Sequence, residues 1–228
     1  MKAKLTPELA EILGAFIGDG WIQSNERSLY IAGNIIKDKE YYGFLSHLIS
    51  SNLVEVSPKV FLSWHVMGVA IHKKGLIGQL IGLGFQKGKK SLVAKIPAVI
   101  MNSSNMNLKV SVVRGIYDSD GTFYCDKSYA KTSTEWKRTH KYSPVVGITS
   151  CSKHLLLQIT SILSELGIPS DLTQRNKKGT LSGRNVSDSY FLRVRKKGCV
   201  SKWFELIGSN NPRHYRKYDL WKKQGYLP

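Results

Sequence analysis

Two segments of the chain, 101 residues apart, combine helical spacing of apolar residues with an abrupt stop at an Asp-Gly pair. In the first segment, apolar residues follow a 3.6-residue period as far as Ile17. Thr6 followed by Pro7 is typical of a helix start, because the hydroxyl caps free N–H groups and proline suits the first helical position. The pattern predicts a helix over residues 7–19, which Gly20 ends in the left-handed conformation.

The second segment predicts a helix over residues 108–120, capped by Asn107 and stopped by Gly121. After each helix, short strand-like runs, an amphipathic stretch, two more strands and a closing helix follow in the same order. Each half is therefore predicted to be α-β-β-α-β-β-α, which makes the protein α+β. The predicted strands are residues 21–23, 29–31, 56–62, 66–71, 122–125, 145–148, 172–175 and 190–194, and the other helices are 39–51, 75–83, 153–166 and 200–207.

The two segments also match each other in sequence, which indicates an internal duplication. Residues 12–21 read ILGAFIGDGW, and residues 113–122 read VRGIYDSDGT. We divide the chain into a first half (1–100), a polar linker (101–106) and a second half (107–228). A long hairpin insert at about residues 126–143 distinguishes the second half.

Each predicted first helix carries very small residues four positions apart, on one face. Two glycines inside a helix cost about 1 kcal/mol each relative to alanine, so their presence needs a reason. Close approach of two helix backbones is such a reason. We expect the two helices to pack stripe against stripe about a pseudo-twofold axis, and the stripes are Ala10, Gly14 and Gly18, and Ser111, Gly115 and Ser119.

That packing would bring Asp19 and Asp120 together at the C-terminal ends of both helices. Two carboxylates there repel each other and the negative helix ends, unless a cation lies between them. Hard oxygen ligands without a neighbouring His or Cys favour Mg²⁺. The pattern therefore predicts a magnesium site that both halves share.

Charge points to a polyanionic partner. The chain has 34 Lys and Arg against 16 Asp and Glu, a net charge of +18. Residues 1–106 hold 12 basic and 7 acidic residues (+5), and residues 107–228 hold 22 and 9 (+13), so the second half should bind the polyanion more strongly. No apolar run approaches a membrane span and no signal-peptide core precedes the first helix, so we expect an intracellular protein that binds nucleic acid and no membrane.

Cysteine and histidine offer no competing chemistry. The three cysteines form no CxxC pair, which disfavours a zinc ribbon or a disulfide framework. The six histidines form no HxxxH pattern, which disfavours a histidine-metal nuclease.

At this point the two motifs, ILGAFIGDG and VRGIYDSDG, resemble those of the single-chain, two-motif LAGLIDADG homing endonucleases. The resemblance implies a monomer with a saddle of two four-stranded antiparallel sheets that lie in the major groove of double-stranded DNA. It implies cleavage of both strands across the minor groove by a site-specific enzyme, encoded within an intron. Asp19 and Asp120 would hold two or three Mg²⁺ ions, with the backbone carbonyls of Gly18 and Ser119 as further ligands.

The resemblance also implies a basic residue beside the metal ions in each half. Lys90 fits this role in the first half. In the second half the ungapped register gives Arg213, and Arg216 and Lys217 are alternatives.

Residues that face the DNA should alternate along the strands or lie at hairpin tips. Arginine suits guanine edges, glutamine suits adenine, and lysine suits phosphates. The candidates are Gln23, Asn25, Arg27, Lys127, Lys137, Arg138, Arg175, Lys177, Lys178, Arg184, Arg193 and Arg195.

Two other functions are compatible with the sequence. The protein could be an RNA maturase or a DNA-binding regulator that shares this ancestry and has lost cleavage, although both aspartates are present. It could also be a basic ribonucleoprotein component with a fortuitous repeat, in which case Mg²⁺ would not matter.

Overall fold

The computed structural model describes residues 5–88, 90–129, 140–181 and 184–227. In the first half the predicted order α-β-β-α-β-β-α is confirmed, with a 3₁₀ turn (Leu62–Trp64) before the fourth strand. The elements are α1 (Pro7–Asp19), β1 (Gly20–Ile22), β2 (Leu29–Asn34), α2 (Lys39–Asn52), β3 (Lys59–Phe61), β4 (Val66–Ile71) and α3 (Lys74–Gly82).

A short helix then leads into the second half, which repeats the order and adds a two-stranded hairpin and a last helix. These additions were not predicted. The elements are α4 (Ala98–Met101), α5 (Met106–Asp120), β5 (Gly121–Tyr129), β6 (His140–Ser150), α6 (Lys153–Glu165), β7 (Asp171–Asn176), β8 (Gly179–Leu181), β9 (Arg184–Val186), β10 (Ser189–Val194), α7 (Lys197–Leu206) and α8 (Pro212–Gln224).

The two halves build equivalent antiparallel sheets. Their strand orders are β1-β2-β4-β3 and β5-β6-β10-β7, so all four positions correspond, with β10 of the second sheet in the place of β4 and β7 in the place of β3. The start of each sheet is also equivalent, because Gly20 pairs with Ile31 and Gly121 pairs with Ile148. This topology confirms the predicted α+β fold class with two pseudo-symmetric halves.

Alternation along the strands separates a core face from an outer face. In the first sheet Ile22, Ile31 and Val69 are buried against the helices. In the second sheet Phe123 and Leu192 take the same place. The helices thus cover one side of each sheet and leave the other side open. Within the described ranges, no helix has the length and apolar character that crossing a membrane requires.

Helices α1 and α5 pack against each other so closely that no side chain fits at the contact. A Cβ placed on Gly14 would lie 3.0 Å from the Cα of Gly115 and would overlap the carbonyl oxygen of Val112. A Cβ on Gly115 would lie 2.7 Å from the backbone nitrogen of Ala15. Backbone atoms cannot move aside as a flexible side chain can, so the two glycines allow this contact.

Both helices begin with side-chain caps. Thr6 accepts a hydrogen bond from the backbone N–H of Leu9 and Pro7 occupies the first position, as predicted. The prediction of Asn107 as the second cap is wrong: Asn105 is the cap and accepts a hydrogen bond from the Asn107 N–H. Both asparagines suit a cap by composition, so the sequence alone does not distinguish between them.

The helix ends also differ from the prediction. Gly20 is extended (φ −95°, ψ 158°) rather than left-handed, because the chain runs straight from α1 into β1. Gly121 is likewise extended (φ −83°, ψ 163°). Glycine is needed for clearance: a Cβ on Gly20 would lie 2.7 Å from the carbonyl oxygen of Phe16, and one on Gly121 would overlap the Tyr117 ring.

Candidate active site at the paired helix ends

The packing of α1 against α5 brings their C-terminal aspartates to one place. Both helices end on the acid, at Asp19 and at Asp120. A Cβ placed on Gly18 would lie 2.8 Å from the Cβ of Ser119 and 3.3 Å from Oδ2 of Asp120. The residue before one aspartate therefore contacts the other half's motif directly.

The electrostatics of Asp19 show how crowded this position is. Burial, and next the negative charge of Asp120, raise the pKa of Asp19 to about 7. The phenol of Tyr42 on α2 donates a hydrogen bond of 3.1 Å to Oδ2 of Asp19 and partly offsets this rise. Such a carboxylate gains strongly from a cation placed beside it.

Asp120 is in a different setting. Its side chain is exposed to the cleft, yet the surrounding protein removes enough hydration to raise its pKa. The positive charges of Lys90 and Arg213 oppose that rise. The two basic residues predicted for the site therefore act on the same carboxylate.

Lys90 reaches the first helix end from the segment that follows α3. Its ammonium group donates hydrogen bonds to the backbone carbonyls of Ile17 and Gly18, the latter at 2.7 Å. Burial lowers its pKa to about 8, although both aspartates favour the charged form.

Arg213 reaches the second helix end from the first turn of α8. Its guanidinium donates to the carbonyl of Ser119 at 3.4 Å and forms an ion pair of 2.9 Å with Asp38 of the first half. Each half thus places a cation on the carbonyl that precedes its aspartate, Lys90 on Gly18 and Arg213 on Ser119.

The two alternatives to Arg213 bind other groups. Arg216 forms an exposed ion pair with Glu40. Lys217 donates to the carbonyl of Phe123 at 3.4 Å. Of the three candidates, Arg213 therefore has the position that corresponds to Lys90.

A buried polar network that the sequence analysis missed holds Arg213 in place. Asp118 on α5 is fully buried and accepts hydrogen bonds from the Ser209 hydroxyl and from the Asn210 N–H at 2.9 Å. The amide of Asn211 donates to the Asp118 carbonyl at 2.9 Å and to the Asp38 carboxylate at 3.0 Å. Burial, opposed by these hydrogen bonds, raises the pKa of Asp118 to about 7.

The network links the two halves, and a second connection mirrors it. Gln158 on α6 accepts a hydrogen bond from the Ile96 N–H at 2.8 Å and donates to the Ile96 carbonyl at 2.9 Å. Ser152 caps α6 and donates to the carbonyl of Ala94 at 2.7 Å. The segment after the closing helix of each half therefore docks on the start of the other half's second helix, near Ser152 and near Asp38.

The donor set suits a hard divalent cation. Two carboxylates and two backbone carbonyls supply only oxygen, as Mg²⁺ and Ca²⁺ prefer. In the part of the chain that the structure covers, no group of three or more His, Cys, Asp or Glu could hold a metal, so water and phosphate oxygens would have to complete the coordination. Lys90 and Arg213 now contact the carbonyls of Gly18 and Ser119, and they would have to shift if those oxygens bind the ion.

Asp120 opens onto a cleft of about 460 Å³ between the two sheets, and Asp19 lies in the chain between Gly18 and Gly20, which both line this cleft. Gly18, Lys90 and Asp120 line it together with Trp21 of the first sheet and Thr149 of the second. The cleft therefore joins the site to the outer faces of both sheets, where a long ligand would lie.

The arginines predicted to bind DNA in the second half lie on the outer face of its sheet. Arg175 and Arg193 flank the Phe191 ring at 5.8 and 5.7 Å. Arg195 lies 3.9 Å from Asp126 and 4.0 Å from Asp171, in weak exposed ion pairs.

The other predicted contacts of the second half lie near strand ends and in the connections between strands. Lys177 and Lys178 follow β7, and Arg184 begins β9. Lys127 lies 5.9 Å from the centre of the Tyr142 ring, whereas Lys137 and Arg138 lie outside the described residues.

The predicted contacts of the first half are confined to the β1–β2 hairpin. The side-chain oxygen of Asn25 accepts a hydrogen bond from the Arg27 N–H at 3.0 Å, so it stabilises the turn. Gln23 is half-buried at the end of β1, and Arg27 is exposed.

Comparison with known proteins agrees with this architecture. A family model described as a LAGLIDADG-like domain matches residues 107–208. The homing endonuclease I-DmoI in complex with DNA and Ca has a similar fold, with a TM-score of 0.58 and 15% identity over 94% of this chain and 97% of that chain. The LAGLIDADG meganuclease I-AabMI bound to uncleaved DNA gives 0.58 and 12% over 98% and 94%, and a mutant of I-SmaMI gives 0.55 and 13% over 98% and 90%.

The structural matches extend over both halves, whereas the family model matches the second half alone. Residues 107–208 thus resemble a LAGLIDADG-like domain, and the chain as a whole has the same fold as the homing endonuclease I-DmoI and the LAGLIDADG meganuclease I-AabMI.

Proposed function

We propose that this protein is a site-specific homing endonuclease that makes a Mg²⁺-dependent double-strand break in a long DNA target and is encoded within an intron. The observation that carries the proposal is the pair of converging aspartates, Asp19 and Asp120, each flanked by a cation from its own half. The net charge of +18 and the two open sheet faces suit a duplex ligand.

The residues divide the chemistry between them. Asp19 and Asp120 would hold the divalent ions, which when bound supply Lewis acidity to the scissile phosphate and activate water. Lys90 and Arg213 would stabilise the negative charge that develops on the phosphate. Because each half provides an acid and a cation, each DNA strand has its own set, and a double-strand break follows.

A cleavage selection tests this function directly. The full-length protein is incubated with a randomised DNA duplex library in Mg²⁺ or in EDTA, and the cut ends are sequenced. We expect one long consensus with cuts in both strands, in Mg²⁺ only. Specific binding without cuts would instead support a regulator, and binding to structured RNA alone would support a maturase.

DNA affinity should fall steeply with salt. Each neutralised phosphate contributes a slope of about −0.9 in log affinity against log salt concentration. We expect Lys177→Gln to reduce the magnitude of that slope by about one. Lys202→Gln is the control, since Lys202 lies on α7 on the helical side of the sheet and should leave the slope unchanged. A slope near zero in the unmodified protein would contradict a phosphate-dominated interface.

Replacement of Asp38 should uncouple the two strand cuts. Asp38→Asn can still accept a hydrogen bond from Asn211 but loses the charge that holds Arg213. Loss of such a supporting partner commonly costs about 10- to 100-fold, so one strand should be cut that much more slowly and nicked plasmid should accumulate.

Glu40→Gln is the matched control for Asp38→Asn, because Glu40 lies on the same helix start and pairs with Arg216 on the surface. It should leave both strand rates unchanged. Equal slowing of both strands by Asp38→Asn would contradict a role for Asp38 in positioning Arg213.

A further inference from the structure

The outer face of the first sheet is unusual for a DNA-binding surface because aromatic rings occupy its centre. Trp21 stacks on Tyr30 with ring centres 4.9 Å apart, and Trp64 meets Trp21 edge-on at 5.2 Å. Phe61 meets Tyr30 edge-on at 5.6 Å. We refer to Trp21, Tyr30, Phe61 and Trp64 as the aromatic cluster.

Apolar and small residues continue this surface. Strand pairing places Tyr30 opposite Ala70, and Ala32 opposite Gly68, on the same face. Trp64 is 47% exposed and Leu62 beside it is 78% exposed. The middle of the face is therefore an apolar surface made of aromatic rings and the small residues beside them.

Two polar side chains near this face, those of Asn34 and His72, are already engaged in hydrogen bonds. The side-chain oxygen of Asn34 accepts hydrogen bonds from the N–H groups of Ile36 and Lys37 at 3.0 and 2.8 Å. The ring of His72 is hydrogen-bonded to the Ser28 hydroxyl at 2.9 Å. The polar groups that remain for the hydrogen-bonding edges of bases lie at the border of the face, on Gln23 and Arg27 of the β1–β2 hairpin, and the centre of the face offers apolar contact.

The second sheet offers the opposite chemistry on its equivalent face. Arg175 and Arg193 extend across Phe191, and the Arg175 guanidinium donates to the Thr149 hydroxyl at 3.3 Å. Arginine can form paired hydrogen bonds with the O6 and N7 atoms of guanine. The two halves of the protein thus present unlike surfaces to the two halves of a target.

On the basis of the proposed function, we propose that the first half recognises its half-site by apolar contact with thymine methyl groups in the major groove. Thymine carries the methyl group among the four bases, and contact with Phe or Ala side chains distinguishes it. The second half would recognise guanine through its arginines.

Continuity and charge favour duplex DNA as the occupant of this face. Trp21 follows Asp19-Gly20 directly and lines the same cleft as Gly18 and Asp120. Exposed basic side chains border the face, at Lys59 on β3 and Lys73 after β4. A ligand that reaches from the aspartates onto the aromatic cluster is therefore a polyanion with an apolar surface, which describes a thymine-containing major groove.

Uracil provides the test, because it pairs as thymine does and lacks only the methyl group. The same randomised duplex library is amplified with either dTTP or dUTP and used for cleavage selection in Mg²⁺. In the thymine library we expect thymine-rich positions in one half-site. In the uracil library those positions should lose their preference, while the guanine positions in the other half-site remain.

The effect can also be measured on one selected target. Deoxyuridine in the first half-site should weaken binding by about fourfold for each methyl group contacted. Deoxyuridine in the second half-site should change binding less than twofold. Arg193→Ala shows which half-site of the target the second sheet contacts, because it should remove guanine preference in that half-site only.

Variants of the protein provide matched controls. Trp64→Ala removes an exposed ring at a surface turn and should relax thymine preference in the first half-site alone. Leu157→Ala removes a similarly exposed apolar side chain (49%) on α6 and should change neither half-site.

Identical consensus sequences from the two libraries, with normal cleavage, would overturn the thymine proposal and leave the endonuclease intact. Displacement of the selected duplex from the wild-type protein, but not from Trp64→Ala, by single-stranded oligouridine would also overturn it, because the rings would then stack on bases. Absence of cleavage in both libraries would reject the endonuclease function on which the proposal rests.

Discussion

Asp120→Asn is expected to abolish double-strand cleavage, and Asp19→Asn should do the same. An amide is a poor ligand for a hard cation, and the Lewis acidity at stake is worth several kcal/mol, so the cleavage rate should fall by about 10³-fold or more. DNA binding at fixed salt should change little, because the sheet faces and basic side chains are unaltered. Single-turnover cleavage and a gel-shift titration measure the two effects separately.

The thermal stability of Asp19→Asn distinguishes loss of metal binding from misfolding as the cause of lost cleavage, because a misfolded variant would be less stable. The folded-state pKa of Asp19 is about 7, against 3.8 for the ordinary side chain. Its contribution to stability is therefore full below pH 3.8 and is lost as pH rises towards 7. The amide that replaces the carboxyl group cannot ionise, so without metal Asp19→Asn should gain thermal stability relative to the unmodified protein over that window.

Two further measurements complete this test. Mg²⁺ should raise the melting temperature of the unmodified protein more than that of Asp19→Asn. Asp219→Asn, an exposed acid on α8, should cleave normally. Full double-strand cleavage by either Asp19→Asn or Asp120→Asn would refute the roles given to these residues.

Of the substitutions proposed for this protein, Gly115→Leu is expected to lower the free energy of unfolding most. The position faces backbone atoms of α1, with the backbone nitrogen of Ala15 only 2.7 Å from a Cβ built on Gly115. Overpacking usually costs about 1–3 kcal/mol, and here no flexible neighbour can yield, so we expect about 3 kcal/mol. For a protein of this size that lowers the melting temperature by roughly 6–12 °C.

A glycine in another helix provides the control. Gly78 lies in α3, and nothing lies within 4 Å of a Cβ built on it. Gly78→Ala should raise stability by up to about 1 kcal/mol, because alanine favours a helix more than glycine does. If Gly115→Leu melts within about 2 °C of the unmodified protein, the α1–α5 contact is looser than described.

The helix interface and the shared acids were accessible from sequence because they depend on repetition. Gly14 and Gly115 recur at one offset with Asp19 and Asp120, and small residues four apart have few uses other than close packing. The pattern therefore predicted both the contact and where it ends.

The ends of the helices were harder to predict because they depend on tertiary structure. An Asp-Gly pair after a helix is usually a left-handed turn. Here Gly20 continues into β1, and glycine is required because the Phe16 carbonyl and ring lie against it. The local sequence does not show whether glycine is required for a left-handed backbone conformation or for lack of space for a Cβ atom.

Two features of the second half, helix α8 and the network around Arg213, were not predicted from the sequence, for different reasons. The start of α8 was readable, since Asn211 followed by Pro212 is a typical capped start, but the highly charged sequence of the helix concealed its pattern. The contacts of Asn211 with Asp38 and Asp118 join residues far apart in sequence. No periodicity indicates such a partnership, and the aromatic surface on the first sheet was missed for the same reason.

The crossed docking of the two halves constrains how hybrid proteins can be built from this scaffold. A junction placed between α4 and α5 would keep residues 90–97 with the donor of the first half, although Gln158 and Ser152 of the second donor must receive them. Asp38 of one donor would likewise have to accept the arginine of the other. Exchange of whole halves therefore requires that the docking segment of each half match the side chains that bind it in the other half, or that these side chains be redesigned.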